Sequence, residues 1–184
     1  PAHLLECASA QQPIALTALD VDATRCARIT DTLQRLHLHA QVLCADAGRP
    51  HDWFATHCAS QPFDAIVLDA PCTASGIVRR HPDVRWLRRA ADVDQLVRIQ
   101  RQLLEALWPL LKPCGRLVYC TCSVFKAEGA DQVAAFLGRH TDAVLQPSPG
   151  HLRPGIVGGA GEFPDNVPGG YDGFYYARID KAGP

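Results

Sequence analysis

Short apolar runs alternate along this chain with segments of helical periodicity. Each run ends at an acid or just before a cysteine. The runs are Ile14–Asp20, Gln41–Asp46, Phe63–Asp69 and Arg116–Thr121. Apolar runs of this length are typical of buried parallel strands, which need a crossover helix between neighbours. The face predicted for the first crossover helix consists of Cys26, Ile29, Leu33 and Leu36. The alternation predicts an α/β fold with a parallel sheet.

The second half of the chain continues the pattern. Apolar spacing predicts a long helix from Val93 to Leu111, which Pro113-Cys114-Gly115 would end. The other predicted elements are a helix over 126–139, a short strand at Ala143–Leu145 and a last strand at Gly173–Ile179. Frequent proline and glycine predict a long loop over 147–173. A length of 184 residues suits one domain, so residues 1–184 are predicted to form a single domain.

The composition argues against several classes of protein. Net charge is −1, so a nucleic-acid partner would have to contact a local basic patch. No apolar run is long enough to cross a bilayer and no signal segment opens the chain, so we expect a cytoplasmic protein without membrane contact. The eight cysteines include no C-x-x-C pair, and the eight histidines lack metal-ligand spacing. Reduced thiols are therefore expected, and no metal site is predicted.

Acidic residues stand at the predicted carboxyl ends of three strands. They are Asp20, Asp46 and Asp69. In open α/β sheets, ligands bind outside the carboxyl ends of the strands. Asp20 is placed to accept hydrogen bonds from ribose hydroxyls, and Asp46 from an adenine amino group. The alternative is that each aspartate only caps the next helix. Three acids in register favour a cofactor site.

Two cysteines are predicted to lie in loops at the same edge. Cys72 follows the third strand in "LDAPCTASG", and Cys122 follows the fourth in "YCTCS". A thiol is a nucleophile only as a thiolate, which requires partial exposure and a stabilising environment. The amino end of a helix after Cys122 would favour a thiolate there. Inert core packing is the alternative, and it is expected for Cys7, Cys26, Cys44, Cys58, Cys114 and Cys120.

Arginines cluster in "RRHPDVRWLRR" after the third strand. The candidate RNA-binding residues are Arg79, Arg80, His81, Arg85, Arg88 and Arg89. Arginines bind phosphates, and an aromatic side chain such as Trp86 can stack on an unpaired base. The alternative is a solvated loop that leads into a helix, with Trp86 packed in the core.

Four segments resemble the RNA cytosine-5 methyltransferases of the Sun and nucleolar-protein family. They are "LDAPCTASG", "YCTCS", "RRHPDVRWLRR" and "DGFYYARI", and the resemblance extends from about His3 to Ile179. It implies a Rossmann-like sheet with helices on both faces, and S-adenosyl-L-methionine as cofactor. The implied reaction is methylation of C5 of a cytosine in RNA, with 16S ribosomal RNA as the implied partner.

The resemblance also implies roles for single residues. Cys122 would form a covalent bond to C6 of the cytosine, and Cys72 would assist release of the product. Asp69 would hold the base edge near N3 or contact the cofactor. Pro71 fixes φ and so helps to hold the loop of Cys72 rigid.

One part of the family pattern is absent from this sequence. The family carries a glycine-rich cofactor loop just before "HLLE", whereas the first glycine here is Gly48. We therefore expect a partial catalytic domain that lacks the first strand, which would be central in the sheet. Its loss would leave a gap or force Ile14–Asp20 to find a new neighbour. An inactive remnant that binds RNA or a protein is the alternative function, and a thiol-redox or metal protein is a third.

Overall fold

The computed structural model describes residues 1–9, 11–153 and 172–183. The helices are α1 (Ala2–Glu6), α2 (Ala23–Arg35), α3 (Phe54–Cys58), α4 (Val84–Leu87), α5 (Ala90–Leu107) and α6 (Ala130–Leu137). The strands are β1 (Thr17–Asp20), β2 (Gln41–Cys44), β3 (Phe63–Asp69), β4 (Leu111–Thr121), β5 (Ala143–Leu152) and β6 (Phe174–Lys181). Four short 3₁₀ helices lie at Pro50–Asp52, Ser75–Ile77, Trp108–Leu110 and Lys126–Glu128.

The first of two compact units, Pro1–Gln61, is built on two parallel strands. β1 and β2 pair with Asp20 opposite Cys44, and α2 packs on both strands. α2 begins where it does because Asp22 caps it: Oδ1 accepts hydrogen bonds from the backbone N–H groups of the second and third helical residues. The buried side chains of this helix are Cys26 and Leu33.

The second compact unit, Pro62–Pro184, contains a four-stranded sheet in the order β3-β4-β6-β5. β3 and β4 are parallel, while β6 is antiparallel to both of its neighbours. Burial alternates along β4 and β6, as it must when one face of a sheet carries the core. Leu117, Tyr119 and Ile179 are fully buried on that face. The chain thus has two units, and one domain over residues 1–184 stays a prediction.

The strands form two separate sheets. In the described ranges β1 pairs only with β2, and the only partner of β3 is β4. The expected loss of a central strand stays a prediction. The predicted α/β class, with parallel strands joined through helices, is confirmed.

The long helix ends earlier than predicted. α5 stops at Leu107 and a 3₁₀ turn containing Pro109 follows, because proline has no N–H with which to continue the helical hydrogen bonds. Leu111, predicted as the last apolar residue of the helix, instead begins β4. The predicted stop at Pro113-Cys114-Gly115 lies inside β4, where the pairing with β3 shifts register.

β5 extends into the segment predicted as a loop. The expected strand ended at Leu145, but β5 continues to Leu152, so residues 147–152 of the predicted loop are strand. Pro147 and Pro149 lie in an irregularity between the paired residues Gln146 and Gly150, where no ladder N–H is needed. The part of that loop over 154–171 lies outside the described residues. The helix predicted over 126–139 is shorter, consisting of a 3₁₀ turn and α6.

All eight cysteines are free thiols. The expected burial is found for Cys26. It is wrong for Cys7, Cys44 and Cys114, which are exposed, and only partly met by Cys58 and Cys120, which are half-buried. Cys7 follows the last residue of α1 and Cys114 lies in the irregular part of β4, so neither follows the core periodicity. In the described part of the chain, no helix is long and apolar enough to cross a membrane. No group of three or more metal-ligating side chains that could hold an ion was found among these residues.

Candidate active site

The structure brings Cys72 and Cys122 into contact. β3 and β4 are parallel neighbours, so the loops at their carboxyl ends meet. The Sγ atoms of Cys72 and Cys122 are 3.3 Å apart, and both side chains are partly exposed. The N–H of Gly76 donates to the carbonyl oxygen of Cys122 at 2.9 Å, which ties the two loops together. A Cβ on Gly76 would overlap the backbone of Gly173, so this close approach requires glycine.

The hydrogen bond between the two thiols separates their pKa values. With Cys72 as donor, it stabilises the thiolate of Cys122 and lowers the pKa of that thiol from 9.0 to about 7. The same hydrogen bond, together with burial, raises the pKa of Cys72. The pair can therefore hold one thiolate beside one thiol near neutral pH, which is the state that a nucleophile with a neighbouring proton donor requires.

Asp69 and Cys120 lie next to the pair of thiols. Unlike Cys122, Cys120 has a raised pKa. Burial, with the charge of Asp69 as the next cause, raises the pKa of Cys120 to about 12. The Sγ of Cys120 is 3.5 Å from the carbonyl oxygen of Leu68 and 3.8 Å from Oδ1 of Asp69. Cys120 thus remains a thiol, but its side chain is partly exposed and not packed in the core as expected. The side chain of Asp69 is exposed at the end of β3, where a ligand can contact it.

A buried acid that sequence reasoning missed connects the two cysteine loops. Glu128 is fully buried, and its carboxylate accepts hydrogen bonds from Thr73, Gln100 and Ser123. Thr73 follows Cys72 directly, and Ser123 follows Cys122. The sequence gives little sign of this role, because an acid in a predicted helix is usually exposed.

Asp20 and Asp46 both lie at one edge of the two-stranded sheet in the first unit. Oδ1 of Asp20 accepts hydrogen bonds from the N–H of Asp22 at 2.9 Å and from Nε of Arg25 at 3.0 Å, whereas no hydrogen bond found in the described ranges uses Oδ2. Asp46 is about half exposed, and its Oδ1 accepts from the N–H of Gly48 at 2.8 Å. Asp22 caps α2, so the capping alternative is wrong for Asp20. Oδ2 of Asp46 lies 3.8 Å from Nε of Arg49 in an exposed ion pair. Partly exposed carboxylates at parallel strand ends fit the hydroxyls and amino group of a nucleoside.

Three of the six predicted RNA-binding residues have protein partners. Arg79 forms an ion pair with Asp172 at 3.4 Å, and Arg80 pairs with the same carboxylate, which is buried. Nε of Arg88 donates to the carbonyl oxygen of Thr73 at 2.9 Å. These contacts hold the arginine segment against the rest of the second unit.

The other predicted residues of this segment are exposed. Arg85, Arg89 and His81 face solvent. Trp86 is 86% exposed, so the alternative that it packs in the core is wrong. An exposed indole between arginines can stack on an unpaired base.

Comparisons with known proteins identify the family. The family model for 16S rRNA methyltransferase RsmB/F matches residues 1–180. Ribosomal RNA small subunit methyltransferase B of Pasteurella multocida (strain Pm70) is 47% identical over 181 residues, which are 97% of this chain and 39% of that protein. This chain therefore spans less than half the length of that relative.

Two solved structures share the fold of this chain. The structure of PH0851 matches with a TM-score of 0.75 and 33% identity, over 92% of this chain and 37% of that chain. A methyltransferase homolog protein from Pyrococcus horikoshii matches with a TM-score of 0.67 and 26% identity, over 92% of this chain and 54% of that chain. These neighbours confirm the Rossmann-like methyltransferase fold predicted from the sequence. With a family match over nearly its whole length, the chain belongs to the 16S rRNA methyltransferase RsmB/F family.

Proposed function

We propose that this chain carries the catalytic site of an enzyme that methylates C5 of a cytosine in RNA, with 16S ribosomal RNA as substrate. The observation that supports it most directly is the contact of 3.3 Å between the thiols of Cys72 and Cys122. RNA with 5-fluorocytidine at the target position tests the proposal, because fluorine at C5 cannot leave as the proton does. Such RNA should remain covalently bound to the protein.

A cytoplasmic location stays a prediction.

The chemistry assigns different tasks to the two thiols. Cytosine C5 is a poor nucleophile until the thiolate of Cys122 adds to C6 and makes C5 electron-rich. After C5 has gained a methyl group, a water molecule takes the C5 proton. The electrons of that C–H bond then form the C5–C6 double bond, and Sγ of Cys122 leaves C6 as a thiolate. The thiol of Cys72 can donate a hydrogen bond to the departing sulfur of Cys122, which makes that thiolate a better leaving group. Asp69 is exposed beside the pair and is proposed to hold the base edge or the cofactor.

Two carboxylates of the first unit are proposed to bind the cofactor. S-adenosyl-L-methionine, the methyl donor of this family, supplies an electrophilic methyl group when bound. Asp20 would accept hydrogen bonds from its ribose hydroxyls, and Asp46 from its adenine amino group. The free Oδ2 of Asp20 and the half-exposed carboxylate of Asp46 support these roles.

Calorimetry with S-adenosyl-L-methionine tests this assignment. We expect micromolar binding by the protein, and Asp20→Ala and Asp46→Ala should each weaken it by about tenfold or more, since each removes a hydrogen bond to a charged acceptor. Asp52→Ala is the matched control, because Asp52 is an exposed carboxylate of the same unit that pairs with His51.

The outcomes of this titration separate the two candidate functions. Binding that is unchanged in both variants would contradict the assigned residues. A folded protein that does not bind the cofactor would favour the alternative, a catalytically inactive domain that binds RNA or a protein.

The arginine segment is proposed to bind RNA through its exposed residues. Arg85, Arg89 and His81 would contact phosphates, and Trp86 would stack on an unpaired base next to the target. Arg79, Arg80 and Arg88 would act mainly by fixing the segment, because each already has a protein partner. The target cytosine must be splayed out or unpaired to reach Cys122.

Trp86→Ala is expected to weaken RNA binding by about tenfold with little change in its salt dependence, because a stacked aromatic contributes on the order of 1–3 kcal/mol per base. Arg85→Ala should reduce the slope of log affinity against log salt by about one, as expected for one phosphate contact. Arg139→Ala is the control, since Arg139 pairs with Glu105. Fluorescence anisotropy across a salt series measures both effects. Affinity unchanged in both variants would show that this segment does not contact RNA.

A further inference from the structure

Glu128 lies between the two cysteine loops as a buried acid that the chemistry above does not use. Its side chain is fully buried, and it ends the 3₁₀ turn Lys126–Glu128. We propose that Glu128 is a positioning residue that ties the loop of Cys72 to the loop of Cys122 and so keeps their sulfur atoms in contact. This inference rests on one part of the proposed function, namely that Cys72 and Cys122 are the reactive thiols.

The loop of Cys72 is held on both sides of the cysteine. Oε1 of Glu128 accepts a hydrogen bond from the N–H of Thr73 at 2.9 Å, and Oε2 accepts one from Oγ1 of Thr73 at 2.5 Å. Nε2 of Gln100 donates to Oε1 of Glu128 at 3.2 Å and to the carbonyl oxygen of Pro71 at 2.9 Å. The residues before and after Cys72 are therefore both fixed relative to one carboxylate.

The loop of Cys122 is held by the same carboxylate. Oγ of Ser123 donates to Oε2 of Glu128 at 2.6 Å, and Ser123 directly follows Cys122. The backbone of Glu128 is itself fixed from β4, because its carbonyl oxygen accepts a hydrogen bond from the hydroxyl of Tyr119 at 2.9 Å. Ser75 adds a second link, since its Oγ is 3.0 Å from Oγ of Ser123.

The cost of burying this carboxylate supports a specific role. None of the ion pairs found in the described part of the chain includes Glu128, so hydrogen bonds alone compensate for its desolvation. Each oxygen accepts two of them. A packed apolar residue would fill such a position at lower cost. An acid at this position does what an apolar residue cannot, because it joins donors from two separate loops.

The rate at which diamide joins Cys72 to Cys122 tests this role without RNA or cofactor. Diamide takes up the two electrons and two protons that the thiols lose, and mass spectrometry of the linked peptides follows the product. Glu128→Ala should slow the reaction by about tenfold, because sulfur atoms that drift apart by about 1 Å meet less often in reactive geometry. Loss of the charge alone would speed the reaction. The charge of Glu128 raises the pKa of Cys122, so its removal gives more of the reactive thiolate.

Glu128→Gln should react at least as fast as the unsubstituted protein, because it keeps the hydrogen bonds but removes the charge that raises the pKa of Cys122. The amide keeps an oxygen for the N–H of Thr73, and the hydroxyls of Thr73 and Ser123 can turn to accept hydrogen bonds. Glu105→Gln is the matched control, because Glu105 is a part-exposed acid of the same unit that bonds to Arg139 and His140. Its rate should not change.

Melting curves show which variants fold. If Glu128→Ala does not fold, the variants Thr73→Val and Ser123→Ala test the proposal instead. Each removes one side-chain hydroxyl that donates to the carboxylate, and each should slow the reaction by about threefold. Linking at the unsubstituted rate in a folded Glu128→Ala protein, or in both single-donor variants, would overturn the proposal. Methylation activity does not enter these readouts, so the proposed function can fail while this inference stands.

Discussion

Replacing Cys122 by alanine is expected to reduce methyl transfer to RNA by at least about a thousandfold, because the bond to C6 is assigned to this thiol alone. The thiol of Cys122 has a pKa lowered to about 7 by its hydrogen bond with Cys72, so it is the thiolate available at neutral pH. Transfer of a radiolabelled methyl group to RNA measures the loss. Covalent capture of 5-fluorocytidine RNA should disappear with it.

Cys120→Ala is the matched control for this substitution. Cys120 is close in sequence and also partly exposed, but its pKa is raised to about 12. Its replacement should leave methyl transfer within about threefold of the unsubstituted rate, as is usual when no reacting group is removed. Loss of capture in Cys120→Ala together with capture in Cys122→Ala would reverse the assignment of the nucleophile.

Replacing Cys72 by alanine is expected to trap the protein on unmodified RNA. Without the hydrogen bond from Cys72, the pKa of Cys122 should rise from about 7 toward 9.0, and its thiolate becomes a poorer leaving group. Addition to C6 can still occur at higher pH, whereas release slows. A denaturing gel should show a protein–RNA band that the unsubstituted protein does not give.

The double variant Cys72→Ala/Cys122→Ala controls for this band. It should give no covalent complex, because the trapped bond is made by Cys122. A Cys72→Ala protein that turns over normally and leaves no complex would show that Cys72 does not assist release. The contact of 3.3 Å between the sulfur atoms would then have another purpose.

The sequence was sufficient to predict the convergence of the thiols, because parallel strands place their carboxyl ends at one edge. Cys72 and Cys122 follow β3 and β4, which pair in parallel with Asp69 opposite Cys120. The parallel pairing of β1 with β2 could be predicted in the same way, because a helix joins two apolar runs. These features follow from local patterns and from general rules of connection.

Other features depend on contacts that no local pattern reveals. Arg79 and Arg80 belong to a basic run, yet both are paired with Asp172, which is far away in the sequence. The role of Glu128 depends on donors from three segments, and its burial breaks the usual rule for acids. The exposure of Trp86 could not be decided either, because an aromatic residue near a helix start is compatible with core packing and with a binding surface.

The most direct test of the central claim is to identify the residue that carries the RNA. The protein is incubated with S-adenosyl-L-methionine and RNA that contains 5-fluorocytidine, then digested with protease and nuclease and analysed by mass spectrometry. The account predicts a methylated nucleotide attached to the peptide that contains Cys122, with Cys72 unmodified. Attachment at Cys72 or at Cys120 would contradict it.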